Sequence, residues 1–538
     1  MSSIVQFPVV PKEVLASFYV GKSIRDVPTP AAIMNVAAAK ANCERMLNAC
    51  DSLGLGWRAH VKTHKTAELT RFQVGEGTDR PVRIVVSTLS EAEFLLPVLK
   101  EYRSQGRPVN VLYGLPIAPG SIPRLATVGR SLGEGSISVL LDDPSQLDAL
   151  QGFAALSGGV VPQAHIKIDM GGRRAGVITG TARFDELVEA ALAAHRSGVI
   201  VLSGLYSHAG HSYAGDSRVA AMKMLGEELG AMLEAADCIR TRASTKKPNG
   251  TSVSNGTNGA NGTNGLHGHE ANGGSTAPPL PSLVLSAGAS PTALSVQNLL
   301  SAEAADLQET QSGSECELRK AALALSTLFS TIRGNAHTIE IHAGVYPTLD
   351  LQQLAAHSTS ADTLSWRDMA FTILAEVHSV YPNRGANGRA EALIGAGGLA
   401  LGRETCKAYS GMAMCTPWGR DGVEMPTGDV EGFQGWMVGR FAQEHGILTW
   451  KEGQPAEQVG GHGQGSTDGG ARDGGAGERR ANQEPQEPDA LVVGQKLRLW
   501  PNHSCITGSH FGWYFVVDES RIGKEDEIVD IWVRARGW

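Results

Sequence analysis

The chain has 538 residues, enough for two or three domains, and 42% of them are hydrophobic, so a large core is available. A net charge of -8 argues against a general nucleic-acid binder, whose footprint is basic. No apolar run approaches the roughly 18 residues that a membrane span requires.

The first 28 residues lack a basic stretch followed by an apolar one, so no secretory leader is read there. They are expected to pack on the folded frame. Seven scattered cysteines, Cys43, Cys50, Cys238, Cys316, Cys406, Cys415 and Cys505, suggest no disulfide framework. A reducing, cytoplasmic setting is the expectation.

From 29 to 345 short β-rich runs alternate with helical stretches. The runs fall at 57–62, 82–88, 109–114, 137–143, 164–170, 199–208, 283–288 and 338–344. Stretches such as 90–104 and 184–197 have helical patterning. Eight such repeats predict an α/β fold, a (β/α)8 TIM-type barrel. An open doubly wound sheet is the alternative, weakened because no GxGxxG follows the first run. A low-complexity stretch, NGTSVSNGTNGANGTNG, marks 244–281 as an insertion. Its sequons at Asn249, Asn255 and Asn261 are read as composition. After 345 the texture is mainly β, with runs at 371–382, 435–446, 495–505, 512–520 and 527–538. A C-terminal antiparallel β domain over 346–538 is expected, with a second insertion at 452–489.

Reacting groups of a barrel gather at the carboxyl ends of its strands. The first run ends in Lys62, the fifth in Asp169, and the sixth in Tyr206, His208 and His211. The seventh ends in Gly288 and Ser290, the eighth in Gly344 and Tyr346. By the residues alone, Lys62 reads first as a solvated member of the basic cluster RAHVKTHK. The sharper alternative is a desolvated amine able to form a Schiff base. In LSAGASPTAL (285–294) Gly288 permits close backbone approach, and a helix start offers N–H groups to a phosphate. A capped helix needs no ligand, however. In PNHSC, His503 and Cys505 share a face if the segment is extended, and imidazole with thiolate suits zinc. A coincidental His-x-Cys pair is the competing reading.

The segments TPAAIMN, RAHVKTHKT, KIDMGGRRAGV, YSHAGHSYA, GASPT, EIHAGVYPTLDLQQ, QEHG and PNHSC occur in an order that resembles the D-serine dehydratase and D-threonine aldolase family. That family comprises pyridoxal-phosphate enzymes on an alanine-racemase-like barrel, and the likeness spans nearly the whole chain outside the two insertions. The resemblance implies that Lys62, not Lys65, carries the cofactor. It implies that Gly288, Ala289, Ser290, Gly344 and Tyr346 hold the phosphate, and that Arg174 and Tyr206 lie near the ring. His503 and Cys505 would be the zinc pair. A cysteine at 505 favours the dehydratase branch, where the aldolases typically have aspartate. The implied reaction is D-serine to pyruvate and ammonia, by a homodimer acting on small molecules. An aldolase-like lyase, with His208 or His211 as base, is the nearest alternative; a non-catalytic pyridoxal-phosphate barrel is the other. Ala59 replaces a frequent proline and YPTLD has fewer aromatics than usual, which bears on substrate choice.

Overall fold

The computed structural model describes residues 10–245, 279–304, 313–417, 425–453 and 490–538. Nearly all of the two expected insertions lies outside the described residues. β1 (Ala31–Asn35) precedes eight parallel strands that close into a barrel in chain order. These are β2 (Gly56–His60), β3 (Val82–Val86), β4 (Val109–Pro116), β5 (Ile137–Leu141), β6 (Gln163–Lys167), β7 (Val201–Tyr206), β8 (Val284–Ala287) and β9 (Thr338–Ala343).

Strand periodicity sorts the side chains. One set of alternate residues, including Ala59, Ile84, Val111, Val139, Ile166, Leu285 and Ile341, joins the large core between strands and helices. Each such aliphatic side chain, fully buried, contributes roughly 1.5–3 kcal/mol. The other set points into the barrel. Val85, Leu112, Leu140 and Tyr206 form a separate small cluster there. The helices start where short hydroxyl side chains cap them. Thr88 Oγ1 accepts from the Glu91 N–H at the head of Leu89–Ser104, and Thr181 Oγ1 from the Phe184 N–H at the head of Ala182–Arg196.

Towards the amino ends of the strands the barrel interior is polar and closely paired. Arg58 Nε donates to Glu340 at 2.6 Å, and Arg58 Nη1 to Asn110 Oδ1 at 2.7 Å. Ser138 Oγ also reaches Asn110, at 2.9 Å, while Ser286 Oγ donates to Glu340 at 2.8 Å. Arg83 closes the network at 3.2 Å from the second Glu340 oxygen. Burial opposes ionisation of Glu340, but Arg58 and Arg83 outweigh it and hold the carboxyl at about 2.

The second sheet contains β10 (Phe371–Tyr381), β11 (Glu391–Ile394), β12 (Ala413–Pro417), β13 (Gly435–Phe441), β14 (Gly446–Lys451), β15 (Lys496–Pro501), β16 (Trp513–Val517) and β17 (Ile528–Val533). Its order is β11-β14-β13-β12-β15-β10-β1-β16-β17. β1 lies inside this sheet, antiparallel to β10 (Ala31 opposite Leu374) and parallel to β16 (Ile33 opposite Phe515). The segment that opens the expected barrel region therefore pairs with the far end of the chain. Its side chains Ala31 to Met34 are buried on both faces, so no alternation marks it as a strand. The Lys12–Tyr19 helix is fixed to the same sheet through Lys12 and Asp530, 2.9 Å apart. No helix among the described residues is long and apolar enough to cross a membrane.

Candidate active site

β2 ends at His60, two residues earlier than the sequence pattern suggested, and Lys62 sits in the turn that follows. The turn forms because the Lys65 N–H returns to Val61 O at 2.9 Å, with Lys65 in the left-handed region (φ 56°). Lys62 lines a cavity of about 140 Å³ at the carboxyl ends of the strands. His60, Ser87, Lys167, Tyr206 and His208 share its walls. The Lys62 side chain makes no hydrogen bond or ion pair with the described residues. Lys65 is occupied differently: its Nζ lies 2.9 Å from the buried carboxylate of Glu91.

Two imidazoles, His60 and His208, line the cavity, and a third, His342, backs its Tyr206 wall. His342 stacks on Tyr206 with centroids 4.2 Å apart, and its Nδ1 lies 3.1 Å from Ser286 Oγ. His208 donates from Nδ1 to Gly288 O at 2.7 Å. His60 Nε2 is 3.4 Å from Ser87 Oγ. Burial first, then neighbouring positive or basic groups, pushes all three pKa values down, that of His208 to about 3. They are neutral imidazoles at neutral pH.

Two glycine loops meet beside Lys62. Gly288, at φ 148°, closely approaches β9: a Cβ there would lie 2.1 Å from His342 O. A Cβ on Gly344 would lie 3.2 Å from His60 O. The Val345 N–H donates to Ser290 Oγ at 3.1 Å, which joins the loops. Ala289, not Ser290, is the N-cap of the Ser290–Leu294 helix, and its own N–H donates to Thr292 Oγ1 at 2.8 Å. The Tyr346 side chain turns away into the core, edge-on to Trp57 at 5.1 Å and with its hydroxyl 3.9 Å from Cys43 Sγ. Only the backbone of its turn faces the loops. Tyr206 forms part of the cavity wall, Arg174 is exposed at the mouth, and His211 is exposed beside Gly172.

PNHSC is not a continuous strand. β15 stops at Pro501, His503 is the N-cap of the Ser504–Ser509 helix, and Cys505 occupies its first turn. The pair is brought together by a helix start rather than by strand periodicity. Asp350 causes this local fold: it accepts from the Gln353 N–H at 3.0 Å and from the Ser504 N–H at 2.9 Å, capping two helices at once. Cys505 Sγ lies 3.0 Å from Thr63 Oγ1, so the pair rests on the Lys62 turn. Burial works against charge on both groups, yet each outweighs it for the other. The His503 pKa is lifted to about 9 by Cys505, Asp350 and Glu404; that of Cys505 is lowered by His503 and Lys62. His503 Nδ1 is buried without a hydrogen bond, and Glu404 Oε2 stands 3.6 Å from it. Imidazole and thiolate fit a borderline-soft ion with open coordination positions. No group of three or more His, Cys, Asp or Glu among the described residues is placed to hold one.

Sequence reasoning missed Lys167, Thr63, Tyr213 and Asp350. Tyr213 has Ser290 and Cys505 among the groups that act on its hydroxyl. Lys167 was discoverable: it stands two residues after the inward-facing His165, in the quoted segment KIDMGGRRAGV.

The family described as "Putative serine dehydratase domain" matches residues 370–464 and 474–517, and the "Alanine racemase, N-terminal domain" matches 34–264. The chain is 33% identical to the D-serine dehydratase of Schizosaccharomyces pombe, covering 98% of this chain and 96% of that protein. It is 29% identical to the D-serine dehydratase of Saccharomyces cerevisiae, covering 97% and 99%. The solved structure of the D-threo-3-hydroxyaspartate dehydratase from Delftia sp. HT23 superimposes with a TM-score of 0.61, at 23% identity over 96% of this chain and 100% of that one. A variant of that Delftia protein is described as a metal-free form.

Proposed function

The chain belongs to the D-serine dehydratase family, and on that premise we propose that it converts D-serine to pyruvate and ammonia, using pyridoxal phosphate on Lys62 and zinc on His503 and Cys505. The observation that carries the reading is the Lys62–Thr63 turn. One residue offers an unpaired amine to the cavity, and the next touches the thiol of the His–Cys pair at 3.0 Å. A cofactor lysine and a metal pair so joined serve reactions at adjacent carbons of one small substrate.

The glycine loops suit a phosphate: Gly288 and Gly344 let the backbone close against His342 O and His60 O, which sets the start of the Ser290–Leu294 helix beside the Lys62 turn. When bound, pyridoxal phosphate supplies an electron sink for charge at Cα. Zinc, when bound, supplies a Lewis acid for the departing β-hydroxyl. Lys62 binds the cofactor and, once released from it, takes the Cα proton on its amine. Tyr206 stacked on His342 gives the cavity a flat, rigid wall that orients a planar ring and excludes water from one side. His60 and His208, made weak bases by their lowered pKa values, leave Lys62 as the base facing the reacting carbon. His503 and Cys505 hold the ion with positions open for substrate. The hydroxyl leaves with the Cα proton as water, and hydrolysis of the resulting enamine returns one water and releases ammonia.

The test is a product assay on D-serine and D-threonine, with protein as purified, after exhaustive chelation, and after zinc is restored. Pyruvate from D-serine that disappears on chelation and returns with zinc is expected. Glycine and acetaldehyde from D-threonine without pyruvate from D-serine would replace this reading with an aldolase. Full dehydration after metal removal would remove the metal from it.

A further inference from the structure

The cavity contains a second amine that the proposed chemistry leaves unused. Lys167 is the last residue of β6 and points into the barrel, four strands away from β2 in the closed order. It is buried, and its Nζ sits 4.8 Å from the centroid of the Tyr206 ring. Buried lysines are nearly always paired. This one has no carboxylate within 4.0 Å among the described residues. The acids around it are engaged elsewhere. Asp169 accepts from the Gly171 and Arg173 N–H groups, each at 3.0 Å. Asp142 accepts from the Gly176 N–H at 3.2 Å and from Gln146 at 3.0 Å. Glu228 accepts from the Ala209 N–H at 3.1 Å. An ammonium in this position lacks an anion, and the cavity is open in front of it. The glycine loops proposed for the phosphate belong to β8 and β9, which leaves β6 for a different anion.

We propose that Lys167 is the cation that receives the α-carboxylate of the substrate, a specificity-determining contact on the wall of the barrel opposite Lys62. The proposal rests on the reading of this cavity as a D-amino-acid site. It explains why a lysine is kept buried without a protein partner: the ligand completes the pair. Burial first, and then Arg174, lowers the Lys167 pKa to about 8, so the free amine sheds its proton just above neutrality and a bound carboxylate draws it back. The groups facing it are Asp142 from β5, Asp169 and Arg174 after β6, Tyr206 and His208 from β7, Glu228, and His342 from β9.

The probes are D-alanine and D-alaninamide, which differ at the carboxylate and lack a leaving hydroxyl. Their binding to the holoenzyme is read from the absorbance of the cofactor, independently of turnover. The wild type is expected to prefer D-alanine by on the order of 100-fold. Lys167→Met should keep the cofactor on Lys62 while that ratio collapses towards one, and Lys167→Arg should restore part of it. With D-serine, Lys167→Met should raise KM far more than it lowers kcat. The wild-type ratio should decline as pH rises through 8, and Lys167→Arg should not show this decline. An unchanged ratio in Lys167→Met, an equal loss for both probes, or no preference in the wild type would each overturn the proposal. Absence of pyruvate from D-serine would refute the dehydratase reading alone, because the two-probe ratio still reports on the carboxylate.

Discussion

The two ends of the barrel interior are both polar, but their polar groups stand in opposite conditions. At the amino end Arg58, Arg83, Asn110, Ser138 and Glu340 satisfy one another in a closed network. At the carboxyl end Lys62 and Lys167 face a cavity with no ion-pair partner among the described residues, and His503 Nδ1 is buried with no hydrogen bond among them. Burial alone does not separate the two regions, since both are largely inaccessible. Pairing does: a satisfied network holds a shape, whereas unsatisfied groups await a ligand. The cost of leaving them unpaired is a stability deficit that function explains.

That contrast can be broken at either end. The largest effect on turnover is expected from Lys62→Ala, which should lower kcat by at least about 100- to 10,000-fold. Thermal unfolding of the cofactor-free protein should scarcely change, because the side chain has no hydrogen bond or ion pair among the described residues to lose. Next is Cys505→Ala, expected to cost on the order of 100-fold in pyruvate formation through loss of the Lewis acid, with cofactor absorbance retained. Cys505→Asp should shift metal preference away from zinc towards harder ions, read by metal content after dialysis against a mixture.

At the paired end the balance reverses. Glu340→Gln leaves two arginines without their carboxylate and should cost roughly 3–5 kcal/mol of stability, as for other broken buried pairs. Turnover per folded molecule should fall far less than in the first two variants. The sign of the pH effect follows from the lowered pKa. The stability from Glu340 is fully present above its ordinary value of 4.5 and is lost as pH falls towards about 2. Denaturant titrations across that window should show a steeper loss for the wild type than for Glu340→Gln. The smallest effect on turnover is expected from Lys65→Met. Glu91 keeps its 2.7 Å bond from the Ser87 N–H, so the change should cost roughly 1–3 kcal/mol of stability and leave pyruvate formation nearly intact.

Most of the barrel was legible in the sequence because each strand is short, apolar and separated by a helix, so local periodicity suffices. The runs at 82–88 and 137–143, for instance, contain β3 and β5. β1 was not legible, since its pairing with β10 and β16 joins residues hundreds of positions apart and its double-faced burial hides the alternation. The details around PNHSC were misread for a related reason. Asp350, remote in sequence, turns the segment into a helix start, and only the tertiary contact reveals it. By pattern alone Lys62 reads as a surface lysine and His503 with Cys505 as coincidence; the family resemblance singles them out, while their shared contact through Thr63 appears only in three dimensions. Lys167 lay in plain view at a strand end, passed over because no rule of spacing demanded a second lysine.

The measurement closest to the centre of this account is the site of cofactor attachment. The holoenzyme is reduced with borohydride, digested, and the modified peptide sequenced by mass spectrometry. The account predicts a single adduct on Lys62, the unpaired amine on the turn that touches Cys505. An adduct on Lys65 or on Lys167 would contradict it.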